Sequence, residues 1–374
     1  MTPVEDQLRA AFRAKADEVS PDPPPLRLPA PGLRSLFLAH GGGGNKGTRA
    51  HQGWHRWIAP AACAVLVVTV IAGSAIVFGG SRTATSSSAR AAATHSPLAA
   101  RPSSYLGVFL GYFETGRPPS YPPVERFAAV AGKGPNLVEY VSNWGQPFAA
   151  SYAQTLRKHG ATMIVQIDPN SVSPALIAAG RYDAYLRSYA DSVRDFGNRV
   201  VIGFGQEMNA RLWSWGYGHT KPQAFVAAWR HIVTLFRAQG ADNVTWLWTI
   251  NADYAGTGPV ASWWPGSSYV TWVGIDGFYE KPSDTFSSVF GKTIAQVRTI
   301  TARPILLSQT AVARGPDQYT SIHNLFEGMT QDGTLGLVWD DIETSSGQDW
   351  HLEGNPSAEA AFRLGAAGLT VARR

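Results

Sequence analysis

From Tyr105 onward the chain repeats one pattern: a short apolar run, then a helical stretch, then another run. The runs are Leu106–Leu110, Leu137–Val141, Met163–Ile167, Val200–Phe204, Val244–Ile250, Val270–Ile275, Pro304–Ser308 and Leu335–Trp339. Runs of this length without polar alternation read as strands buried on both faces, which belong to parallel sheets. The intervening stretches have helical periodicity. Tyr182, Leu186, Tyr189, Ala190 and Val193 share one face, as do Phe225, Trp229, Ile232 and Phe236. The second of these helices has Thr220 as its expected cap, Pro222 in its first turn and Gly240 as its stop, and a last helix is expected from about Ser357 to Leu364. Eight runs with helices between them, over roughly 270 residues, predict an α/β fold of the (β/α)8 TIM-barrel type. A doubly wound open sheet is the competitor, but no glycine-rich phosphate loop follows the first run.

The N-terminal third is of another kind. Residues 1–56 read as a largely disordered cytoplasmic segment. Thr2, Pro3 and Glu5 could start a short helix, which the proline-rich stretch from Pro21 to Pro31 cannot continue. Trp57 to Gly80 runs for 24 residues without a charge, long enough to cross a bilayer as a helix, with Trp54 and Trp57 placed for an interfacial belt. Arg34, Lys46, Arg49 and Arg56 precede it, against Arg82 and Arg90 beyond, so the N-terminus is expected in the cytoplasm and the barrel outside the cell membrane. A cleaved signal peptide would start nearer the N-terminus. Residues 81–104, rich in Ser and Ala, read as an extracellular linker, and 105–374 as the barrel.

Composition narrows the function. The net charge of +5 is scattered, without a basic stripe interleaved with aromatics, so nucleic acid is not an expected partner. The single cysteine, Cys63, lies in the apolar stretch and can build no disulfide framework. The histidines follow no metal-ligand spacing, and no cofactor motif is present.

In such a barrel the residues just after each strand face one pocket. Here they are Tyr112, Glu114, Asn143, Trp144, Asp168, Glu207, Asn251, Asp253, Asp276, Phe278, Tyr279, Gln309, Trp339, Asp340 and Asp341. Glu207 sits past the fourth run, with Gln206, Asn209, Trp213 and Trp215 beside it. A carboxyl group among amides and indoles suits a sugar: the acid protonates a glycosidic oxygen and the rings stack on pyranose faces. The expected ligand is therefore a polysaccharide or oligosaccharide.

GRYDAYLRSYADSV, GQEMN, WSWG, FVAAWRHIVTLFRAQGADNVTWLW, WWPGSSYVTWVGIDG and DWHLEGNPSAEAAFR follow one another in this order. Over Leu106 to Leu364 the sequence resembles glycoside hydrolase family 26, the β-mannanase-type family of retaining barrel enzymes. The resemblance implies an acid/base Glu after the fourth strand, matched by Glu207, and a nucleophile Glu after the seventh, where this chain has Gln309. It further implies a His where Gln206 stands, an Arg where Gly203 stands, a substrate-facing Trp where Leu212 stands and a Tyr where Phe278 stands, with Tyr279 adjoining. Trp144, Trp215, Trp339, Asn209, Asp276 and Asp340 complete the substrate-binding set that we expect. A retaining glycosidase needs an ionised carboxylate to attack the anomeric carbon, and an amide is neutral and far less nucleophilic. The departures therefore imply a barrel that binds β-linked, mannan-like polysaccharide and is impaired in retaining hydrolysis. The alternatives are hydrolysis with Asp276, Asp340 or Asp341 as base, and a single-pass carbohydrate sensor.

Overall fold

The structure is a computed structural model that describes residues 96–111, 120–254, 256–344 and 347–370. The anticipated N-terminal helix, the apolar stretch 57–80, Cys63, Tyr112 and Glu114 lie outside the described residues. Among the described residues, no helix is long and apolar enough to cross a membrane.

The eight apolar runs become eight parallel strands closed into a barrel: β1 (Tyr105–Phe109), β2 (Leu137–Asn143), β3 (Thr162–Asp168), β4 (Val200–Phe204), β5 (Val244–Asn251), β6 (Trp272–Asp276), β7 (Ile305–Thr310) and β8 (Gly336–Asp340). They pair in chain order, and β8 closes on β1 through Tyr105 opposite Gly336 and Phe109 opposite Asp340. The helices are α1 (Pro122–Ala131), α2 (Ala150–Lys158), α3 (Pro174–Ala178), α4 (Asp183–Phe196), α5 (Pro222–Ala238), α6 (Lys292–Ile300), α7 (Gln318–Asp332) and α8 (Pro356–Ala367).

Strand side chains alternate between two cores. Val138, Val165, Ile202, Trp246, Ile275, Leu307 and Trp339 face the helix layer, while Leu137, Ile164, Val201, Leu247, Trp272, Leu306 and Val338 fill the barrel. Burial on both faces explains the unbroken apolar runs. α5 shows how the outer layer is held. Phe225, Trp229, Ile232 and Phe236 are buried on its inner face, and Trp229 and Phe236 pack edge-on against Trp246 of β5. Truncating one such aromatic to Ala would cost about 3–5 kcal/mol. Pro222 opens α5 and Gly240, at φ 74, lets the chain leave it in a left-handed turn. Thr220 does not cap it: Lys221 occupies the cap position, and the Thr220 hydroxyl donates to the Ser214 carbonyl instead.

The linker expected over 81–104 is corrected at its far end. Residues 96–104 pack across the N-terminal mouth of the barrel. Leu98 is buried among the interior residues, its amide donates to Thr245 Oγ1 at 2.8 Å, and Tyr105 donates its hydroxyl to the Ala99 carbonyl at 2.6 Å. Tyr105 also packs on Trp272, with ring centroids 4.9 Å apart. Leu98, the one large apolar residue of this stretch, makes a plug that composition alone does not separate from a spacer.

Candidate active site at the C-terminal mouth

Above the apolar layers the barrel interior turns polar. Asp168, Asp276, Gln309 and Asp340 are buried at or next to the strand ends, Glu139, Gln166, Thr249 and Ser308 are buried within the strands below them, and Glu207 follows β4. Glu207 reaches the pocket by a strained turn. Gly205 and Glu207 both have φ 54, a conformation that costs a non-glycine residue about 1–3 kcal/mol. The surrounding bonds fix it: the Glu207 amide donates to the Thr249 carbonyl at 2.9 Å, and Trp215 Nε1 donates to the Gln206 carbonyl at 2.9 Å. A side chain at Gly205 would meet the Phe225 and Trp215 rings, so a glycine is needed there for space as well as for φ.

Both oxygens of Glu207 accept hydrogen bonds. Trp213 Nε1 donates to Oε2 at 2.8 Å and Asn251 Nδ2 donates to Oε1. Burial pushes the Glu207 carboxyl above its ordinary range, and these two N–H donors oppose the shift. The Trp213 ring lies parallel to Trp215, 5.0 Å between centroids and 3° between planes.

Gln309 owes its direction to an irregularity in β7. The register with β6 moves from Ile275–Leu307 to Asp276–Gln309, which leaves Ser308 unpaired and turns both Ser308 and Gln309 into the pocket. Gln309 Nε2 donates to Glu139 Oε1 at 3.2 Å, and Ser308 Oγ donates to Asp276 Oδ1 at 2.5 Å.

Burial raises every carboxyl in this layer. Glu139 is pushed up to about 8, eased in part by the amides of Gln309 and Gln166. Asp276 and Asp340 stand well above the ordinary carboxylate range, from burial first and then from the fields of Glu139 and Glu207. Asp168 is raised by burial too, against a Gln206 amide that favours its charge. Ion pairs among the described residues lie elsewhere, as at Asp183–Arg187, Asp253–Lys292 and Asp349–Arg314. The site is thus a set of amides and of carboxyls shifted toward their neutral forms, suited to exchanging hydrogen bonds with hydroxyl groups. No group of His, Cys, Asp or Glu among the described residues could hold a metal ion.

The expected site residues separate into three sets. Glu207, Gln309, Asp276 and Asp340 come together in the mouth. Trp144 and Phe278 are half-buried at its edge, Trp144 against Tyr182, Tyr185 and Phe204, and Phe278 against Trp350. The rest are corrected. Trp215 and Trp339 are enclosed, and Trp339 faces outward onto Phe362 of α8 and donates to the Trp350 carbonyl. Tyr279 also points outward, its hydroxyl on Asn324 of α7. Asn209 is fully buried and clamps the Asn251 backbone through both ends of its amide, and Gln206 is buried beneath the turn. None of these five offers a face to a ligand. Asp341, the third candidate base, accepts the Leu352 amide and holds a loop.

The reading of the sequence omitted Glu139. Its signal is parity: a carboxylate inside Leu137–Val141, two residues from each of the inward-facing Leu137 and Val141. Gly203 carries a related signal. A side chain there would overlap Gln166, whose Nε2 is tied to Thr249 Oγ1 at 3.0 Å.

A closed parallel barrel with an acid after its fourth strand, a polar mouth and aromatic edges is the arrangement that the comparisons with known proteins address. Residues 177–348 match the family model described as Glycosyl hydrolase family 26, so this part of the barrel is similar to that family. Endoglucanase H of Acetivibrio thermocellus is 26% identical over 265 residues, which cover 66% of this chain and 29% of that protein. This chain therefore spans less than a third of that relative. Beta-1,3-xylanase TXYA of Vibrio sp is 30% identical over 105 residues, 27% of this chain and 22% of that protein. Among solved structures, the catalytic domain of the Bacillus sp. JAMB-750 GH26 endo-beta-1,4-mannanase superposes with a TM-score of 0.57 at 14% identity, covering 72% of this chain and 87% of that one. At that identity the superposition speaks for the fold.

Proposed function

We propose that this family 26-like barrel binds β-linked polysaccharide and does not hydrolyse it by double displacement. One observation carries the reading: position 309, the expected nucleophile, is an amide whose nitrogen is engaged by Glu139. No anion stands there to attack an anomeric carbon or to offset an oxocarbenium-like charge. Glu207 remains as a proton donor without its counterpart. Inverting hydrolysis finds little support. Asp276 and Asp340 are held toward their neutral forms, and a neutral carboxyl activates no water. The relatives' names differ in the sugar, so the preferred glycan is left to experiment, with mannan first.

The uncharged stretch 57–80 supports a single membrane crossing, with the N-terminus cytoplasmic and the barrel outside. Carbonate-resistant fractionation and protease protection of the barrel in intact cells test that arrangement. The binding reading is tested with the full chain on mannan and mixed-linkage glucan. Retardation in affinity electrophoresis without new reducing ends is the expected result. Turnover abolished by Glu207→Gln would overturn it.

A further inference from the structure

We infer that the mouth of the barrel takes a cationic sugar, an amino sugar with a free amine, in preference to a neutral one. The inference rests on the glycan-binding reading and concerns which glycan the same site accepts.

The observation is a cluster of buried carboxyls without a cation. Glu139, Asp168, Glu207, Asp276 and Asp340 are buried around one mouth, and the ion pairs among the described residues lie outside it. Two carboxyl oxygens, Asp276 Oδ2 and Asp340 Oδ1, are buried without a hydrogen-bond partner, while Glu139 and Asp168 face the amides of Gln166 and Gln206. Acidic residues alone would not decide the matter. An independent group points the same way: Gln166, 1% exposed, lies over Gly203 inside the barrel with its amide oxygen unpartnered as well. Its amide nitrogen donates to Thr249 and faces Glu139, so the oxygen is the atom left without a partner.

A buried acceptor without a donor costs about 1–3 kcal/mol, and a ligand that brings donors recovers it. A sugar hydroxyl brings one donor and also an acceptor. An ammonium group brings three donors, no acceptor and a positive charge. Glu207 and Gln309 keep the small residual exposure in this layer, so they mark the way in.

The test is calorimetry on the full chain near pH 6, where a glucosamine amine is mostly charged. The probes are a β-linked glucosamine hexamer, its fully N-acetylated form, mannohexaose and hexalysine. We expect the glucosamine hexamer to bind at least about tenfold tighter than the acetylated form, a difference on the scale of one desolvated charge-assisted bond. It should also release protons, seen as a dependence of the heat on the buffer's ionisation enthalpy. Glu139→Gln and Asp276→Asn should each reduce that preference. Equal binding of amine and acetamide overturns the inference and leaves the glycan reading standing. Binding of hexalysine as tight as that of the amino sugar overturns it too. Failure of every saccharide to bind overturns both.

Discussion

The side-chain amide of Gln309 on β7 donates to the carboxyl of Glu139 on β2, 3.2 Å away, past the two strands that separate them around the wall. Restoring a glutamate at 309 would therefore not simply restore a nucleophile. It would set two buried carboxyls within hydrogen-bonding distance, and such a pair holds on to a proton. Gln309→Glu is expected to remain inactive on mannan and to lose about 1–3 kcal/mol of stability at neutral pH, with less loss at acid pH. Glu139→Gln combined with Gln309→Glu reverses the polarity of the same bond and should recover that stability. Urea unfolding of the single and double variants at two pH values checks this, with reducing-end assays alongside.

The carboxyl of Glu139 makes its own contribution to pH dependence. Its folded value of about 8 lies above its ordinary 4.5. Between these values the folded state holds a proton that the unfolded state has lost, so stability falls as pH rises through that window. The loss is on the order of 5 kcal/mol if the full shift operates. Asp168, Asp276 and Asp340 shift in the same direction for the same cause. Glu139→Gln should flatten the decline and stabilise the protein near pH 8, measured as unfolding free energy from pH 5 to pH 8.

Trp213 touches Glu207 with its indole N–H and Trp215 with its face. Trp213→Phe keeps an aromatic ring for stacking and deletes the donor. The bond it removes favours the ionised form, so the Glu207 carboxyl should titrate higher in the variant. Carbon-detected NMR of the labelled glutamate reads the shift directly. Glycan affinity should fall little in Trp213→Phe and by about tenfold or more in Trp213→Ala, because stacking area is lost only in the second.

Much of the barrel was legible because burial on both faces writes itself as unbroken apolar runs. Val200–Phe204 coincides with β4, and the other runs agree with their strands to within a few residues. The mouth was legible where chemistry follows a strand end directly, as at Glu207, Asp276 and Asp340. It was not legible where side-chain direction decides. Trp339 and Tyr279 sit at strand ends, yet alternation turns them toward α8 and α7. Glu139 escaped notice because it lies a layer below the strand end, and the irregularity that aims Gln309 at it comes from sheet register, which composition does not record.

The plug at the opposite mouth gives the last prediction. Leu98 is buried in the barrel interior, and its backbone amide satisfies Thr245 Oγ1. A soluble fragment that starts at Tyr105 would lose that cover, expose Trp272 and Leu335 from below, and leave the Thr245 hydroxyl without that donor. Burial of one leucine is worth about 1.5–3 kcal/mol. The lost hydrogen bond adds about 1 kcal/mol. A fragment starting near residue 90 should therefore unfold at distinctly higher urea than one starting at Tyr105, with Leu98→Ala in the longer fragment falling between them. Identical midpoints for all three would mean that residues 96–104 rest on the barrel without sealing it.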